Sequence, residues 1–320
     1  MAVVSKIFAN TLATQNEKYL MDGDKLRRLI DADYEGALRA LRDYGWGENL
    51  TDGVSADTLL AAETAKLITF VRENSIDGRV ERVLLAGFLF HNAKAAYKGR
   101  VTGIDVSRAL YGGFDDVTKA VTEKEYAVLP DALADCLSGL DERAETAALS
   151  PREIDMSITR AMYAYALASS KGDRALTKYV KSEIDLKNLL TLFRCRLTGL
   201  PAGALGDMFI GGGSVDLFDA TRALEGNEEF FNQFFERSDY AEVFAAVGKG
   251  AEAVTEIETG IDDYLYALTL AGRENFLSRS PFINYFHRAM LELKTVKTVL
   301  VCLKNGAAGE IKRRLRAIYD

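Results

Sequence analysis

Apolar side chains recur along most of this chain at spacings of three and four, the period of a helix with one buried face. From Lys25 to Arg42 the stripe is Leu26, Leu29, Ile30, Tyr34, Ala37, Leu38 and Leu41, and Gly45 and Gly47 close it. A second helix is predicted from a Ser55 cap through residues 59–74, and a third carries Leu85, Phe88, Leu89, Ala93, Ala96 and Tyr97. Ser150-Pro151-Arg152-Glu153 spells a capping box with proline at the first helical position, where its missing N–H costs nothing. Ser280-Pro281 repeats the cap-and-proline half of that signal. Leu186, Leu189, Leu190, Phe193 and Leu197 form a stripe ended by Gly199 and Pro201. A last helix is predicted from Glu310, with Ile311, Leu315 and Ile318 on one side and Lys312, Arg313, Arg314 and Arg316 on the other. Residues 199–218, rich in glycine, read as a loop. No period-two run of useful length interrupts this pattern, so the expected fold class is all-α.

Three of these segments echo one another when aligned on a terminal glycine: residues 91–103, 185–199 and 292–306. Asn92 falls on Asn188, and Arg100 and Thr102 fall on Arg196 and Thr198. Asp185 falls on Glu292, Lys187 on Lys294, and Cys195 on Cys302. Recurrence at roughly 100 residues predicts a threefold repeat of helical bundles. The expected divisions are residues 1–106, 107–205 and 206–320, with the first helix free to pack on the last repeat. The recurring polar positions Asn92, Asp185, Asn188, Arg196, Glu292 and Lys294 have two readings. They fix the packing of neighbouring helices, or they line a surface that receives a partner.

Composition narrows the chemistry. A net charge of −7 over 320 residues argues against a general nucleic-acid binder, which needs a basic face. Cys136, Cys195 and Cys302 form neither a disulfide framework nor a metal-spaced pair, which fits a reducing compartment. The start of the chain lacks a signal-peptide core, and the longest apolar run, residues 83–90, is far too short to span a bilayer. Any membrane contact is therefore expected to be peripheral. Gly211-Gly212-Gly213-Ser214 lacks the lysine of a phosphate-binding loop, so no nucleotide is expected here. His91 and His287 lie in no metal spacing, and no acid/base pair stands out. Asp115-Asp116, Glu228-Glu229 and Asp262-Asp263 read as solvated faces or first-turn charges. Phe230, Phe231, Phe234 and Phe235 recur at helical spacing and predict a buried seam. No catalytic, cofactor or metal residue is assigned. The basic stretch Lys312, Arg313, Arg314 and Arg316 has three open readings: solvated, touching lipid head groups, or meeting an acidic partner.

Residues 183–199 (EIDLKNLLTLFRCRLTG), 281–306 (PFINYFHRAMLELKTVKTVLVCLKNG) and 310–320 (EIKRRLRAIYD) resemble the C-type subunit of the A/V-type ATPase, the relative of the V-ATPase d-type subunit. The stretch 152–189 and the segment FHNAKAAYKG at 90–99 carry the same resemblance, which extends over essentially the whole chain. It implies three helical bundles arranged as a funnel with pseudo-threefold symmetry. It further implies a non-catalytic rotor adaptor between the central-stalk subunits and the membrane proteolipid ring, one copy per complex, peripheral on the cytoplasmic side. ATP hydrolysis and ion translocation would occur in other subunits. A free-standing helical scaffold or regulatory protein, or an all-α enzyme, are the alternatives.

Overall fold

The computed structural model describes residues 5–51, 54–316 and 319. Among them there are fourteen α-helices and no strand. In chain order these are α1 (Lys6–Asn16), α2 (Gly23–Ile30), α3 (Tyr34–Asp43), α4 (Ala56–Asn74) and α5 (Gly78–Thr102). Next come α6 (Asp115–Glu123), α7 (Asp131–Thr146), α8 (Pro151–Ser170), α9 (Arg174–Thr198) and α10 (Ala202–Met208). The last are α11 (Leu217–Glu225), α12 (Glu228–Glu236), α13 (Val254–Leu270) and α14 (Ser280–Lys304). The chain folds into two compact units, one built from Met1–Asp77 with Gly248–Asp320, the other from Gly78–Val247.

Local chemistry starts and stops most of these helices. Ser150 and Glu153 exchange side-chain hydrogen bonds with each other's backbone N–H, at 3.2 and 2.7 Å, with Pro151 in the first turn of α8. Ser55 and Thr58 do the same for α4. The stripe from Lys25 to Arg42 is two helices rather than one. Asp33 caps the amide of Gly36 at 2.6 Å, and a carboxylate N-cap there starts α3 afresh. Likewise the predicted loop at 199–218 contains α10, begun just after Pro201. Ser280 lies inside α14 rather than at its cap.

Among the described residues the predicted last helix is absent. Two short 3-10 turns, Ala308–Glu310 and Lys312–Arg314, stand in its place, and Ile318 lies outside the described residues. Ile311, fully buried between the turns, anchors them in the core formed with Leu26, Leu29, Leu41, Val299 and Leu300. Burial of that one side chain draws the backbone against the core where the helical pattern would have carried it onward.

In the unit of residues 78–247, α8 is the central post. Lys98 reaches Asp155 and Lys94 reaches Thr159, so α5 runs antiparallel to α8. Tyr163 donates to Glu183 and Thr177 to the Ser170 carbonyl, so α9 also runs antiparallel to it. Helices α5 and α9 are therefore parallel. Phe90, Tyr97, Leu133, Leu137, Leu140 and Ile158 pack into the core beside them. The aromatic run of α12 is half a seam: Phe231 and Phe235 are buried, while Phe230 is exposed.

Candidate functional site

Three helices, α5, α9 and α14, are each 25 residues long, and each is followed by a glycine in the left-handed region, Gly103, Gly199 and Gly306. Positive φ at a helix end is cheap only for glycine, which explains the shared residue. At the second and third of these ends the amide just past the glycine bonds back to matched cysteines. Leu200 N–H donates to the Cys195 carbonyl at 3.0 Å, and Ala307 N–H to the Cys302 carbonyl at 2.8 Å. Both thiols are buried and act as small core residues.

On α5 and α9 the recurring polar residues grip the chain that follows their helix. Asn92 donates to the Tyr111 carbonyl and accepts from the Tyr111 amide, both at 2.8 Å. Asn188 makes the same pair of bonds with Ile210, at 2.8 and 2.9 Å. Asp185 accepts from the amides of Ser214 and Val215 through Oδ1 and from the Tyr240 hydroxyl through Oδ2. Arg196 donates to the carbonyls of Leu224 and Gly226, each at 2.9 Å, at the C-terminal end of α11. Arg100 donates to the Val121 carbonyl at the end of α6, to Tyr126 and to Asp141. Cations at helix C-termini are favoured by the helix dipole as well as by the orphan carbonyls. Burial raises Asp141, but hydrogen bonds from Tyr126 and Lys124 and the Arg100 charge hold its carboxyl below the ordinary value. Burial and the nearby Asp141 charge push the Tyr97 hydroxyl up to about 12.

Four of the six candidate positions, Asn92, Asp185, Asn188 and Glu292, are buried and spend their polar atoms chiefly on the chain's own backbone. A surface contact is closed to them. Sequence alignment of the copies flagged these residues but not their loop partners, which lie 19 to 30 positions away in no repeated motif for Asn92, Asn188 and Asp185.

In the other unit, Asp262, read from sequence as part of a solvated face or a first-turn charge, is buried in the middle of α13. It is paired with Arg316 Nε at 3.0 Å and Nη2 at 2.9 Å, and with Lys294 Nζ at 2.6 Å. Arg316 therefore does not belong to the exposed basic face. It is 5 % exposed and works as an internal clamp on the C-terminal segment. Lys312, Arg313 and Arg314 are exposed as expected.

Glu292 accepts a bond from the Met21 amide at 2.5 Å. Burial, opposed by that bond and by Arg288, pushes its carboxyl up to about 7. A carboxyl raised on folding binds its proton more tightly in the native state, so its contribution to stability falls as pH rises from about 4.5 through about 7. Glu292→Gln, which keeps the acceptor oxygen without the charge, is expected to be more stable than the parent by about 2 kcal/mol at pH 8. That gain should shrink toward zero at pH 5. Urea unfolding at the two pH values checks this, and an offset independent of pH would refute it.

These contacts define an all-helical protein whose recurring polar residues hold loops and helix ends in place. Among the described residues no group of three or more His, Cys, Asp or Glu is placed to hold a metal, and no helix is long and apolar enough to cross a membrane. The chain belongs to the family of the ATP synthase (C/AC39) subunit, which matches residues 9–314. It is also similar to the C-type subunit of the A-type ATP synthase of Thermococcus kodakarensis, 28% identical over 138 residues. That stretch covers 42% of this chain and 37% of that protein. Both names are those of ATP synthase subunits.

Proposed function

We propose that this chain is the rotor adaptor of an ion-translocating A/V-type ATPase, joining the central stalk to the membrane proteolipid ring and transmitting torque between them. One copy sits peripherally on the cytoplasmic face, and three helical repeats, residues 1–106, 107–205 and 206–320, form a funnel around the shaft. The observation that carries the reading is the trio of 25-residue helices, α5, α9 and α14, each closed by a left-handed glycine. A torque link must be stiff, because any compliance is lost stroke. Close-packed helices supply stiffness, and side chains such as Asn92, Asn188 and Asp185 bolt the intervening loops to them.

The test is a complex assembled without this chain. The soluble head is expected to keep hydrolysing ATP, while ATP-driven ion pumping into membrane vesicles is abolished and returns on adding the chain back. Pumping that persists without it would defeat the proposal.

A further inference from the structure

The C-terminal half of α14 and the turns after it present a basic surface that packing does not explain. Lys297, Val301 and Lys304 are all exposed at spacings of four and three, so they form one straight stripe on α14, about 10 Å long. Lys312, Arg313 and Arg314 follow, also exposed. From 297 to 314 the only carboxylate side chain is that of Glu310, which lies 3.8 Å from Arg313. Lys304 sits 6.0 Å from the Tyr34 ring, a distance at which a cation–π contact is weak.

This surface is held rigidly. Ile311, fully buried, and Arg316, clamped on Asp262, flank the Lys312–Arg313–Arg314 triplet on both sides. A merely solvated basic tail needs no such anchors, and holding like charges side by side costs free energy. We propose that this face docks an acidic amphipathic helix from a neighbouring protein of the complex. The proposal rests on the rotor-adaptor reading and names a surface through which the adaptor grips.

Charge complementarity selects the sign of the partner, and geometry selects its form. A cation–apolar–cation stripe on a straight helix matches a second helix that offers an apolar residue flanked by carboxylates one turn apart. A lipid surface fits less well. Interfacial binding needs bulky apolar side chains beside the cations, and among the described residues of this face Val301, 50 % exposed, is the one large apolar side chain that is exposed. Three bulky exposed side chains of this unit, Ile7, Phe8 and Leu277, lie on the segments that meet the other end of α14. There Asn10 binds the carbonyls of Phe276 and Ser278 and the amide of Phe282.

The test uses the intact purified complex and a water-soluble carbodiimide, which joins a lysine amine to a carboxylate only on contact. Amide links from Lys297, Lys304 or Lys312 to Asp or Glu of a helical segment in a neighbouring protein are expected by mass spectrometry. In reassembly, Lys304→Glu combined with Lys312→Glu should weaken incorporation of the chain at least tenfold at low salt. The parent's incorporation should weaken as salt rises, while the variant's changes little. Two results overturn the inference while leaving the adaptor reading intact. In one, the chain is present in the complex but these lysines stay unlinked and open to acetylation. In the other, they are shielded only by vesicles of phosphatidylserine and phosphatidylcholine. Absence of the chain from the complex would sink both.

Discussion

Asp262→Ala is expected to release the C-terminal segment and cost about 3 kcal/mol in the unit that contains it. The reason is asymmetry. Asp262 is the anion that lets Arg316 sit at 5 % exposure, with two guanidinium nitrogens within 3.0 Å of its carboxylate. Removing one partner of a buried ion pair costs about 3–5 kcal/mol, because the other charge is left without compensation. Arg316 has an escape, since it lies near the end of the chain and can swing into water by peeling residues 311–316 away. The cost is then capped by the anchoring that peeling forfeits, chiefly Ile311. Amide hydrogen exchange should accelerate between residues 308 and 316 while α9 keeps its protection. The double variant Asp262→Leu with Arg316→Met, which removes both charges, should recover most of the loss. Equal destabilisation by the single and double variants would show that the pair itself, rather than the stranded charge, carries the energy.

The same pair shows where the sequence stopped being legible. Residues 310–316 alternate apolar and basic positions in a helical pattern, and periodicity alone assigned Arg316 to the basic side of a helix. What overrode it was burial of Ile311 together with a carboxylate 54 positions upstream. Nothing in the local pattern announces either. By contrast, features written within four residues were readable: the Ser150–Glu153 capping box, the glycine ends of α9 and α14, and the buried stripe of α9 apart from its last member, Leu197, which is exposed. The break between α2 and α3 falls between these cases. Asp33 caps α3, but the apolar stripe runs straight through it, so periodicity alone reads one helix where there are two. Alignment of the recurring segments did better than either. It singled out Asn92, Asp185, Asn188 and Glu292 as special before any partner was visible. It left open whether they faced inward, because a shared position says that a residue has a job but not which neighbour it serves.

Asp185→Ala is the complementary experiment in the other unit, with an expected loss of about 3 kcal/mol in urea unfolding. Its carboxylate collects two loop amides, Ser214 at 2.7 Å and Val215 at 2.9 Å, and the Tyr240 hydroxyl at 3.0 Å. Hydrogen bonds to a charged acceptor contribute about 1.5–3 kcal/mol each, and donors stranded in the interior keep their desolvation cost. Part of that cost is relieved because the two amides are only part-buried and water can reach them. Asp185→Asn retains an acceptor for both amides and should cost about 1 kcal/mol. One glycine of this loop, Gly213, follows from the same carboxylate. A Cβ at Gly213 would collide with Oδ1 of Asp185, so the backbone can approach the acid only where no side chain intervenes. Gly213→Ala is therefore expected to be destabilising in the parent and to lose most of its effect when Asp185 is already alanine. A double-mutant cycle by urea unfolding measures that coupling. Additive costs would mean that Gly213 serves the loop's own conformation rather than close approach to Asp185. Strong coupling would identify the 211–214 segment, which superficially resembles a phosphate cradle, as a strap whose anion is supplied from within the protein.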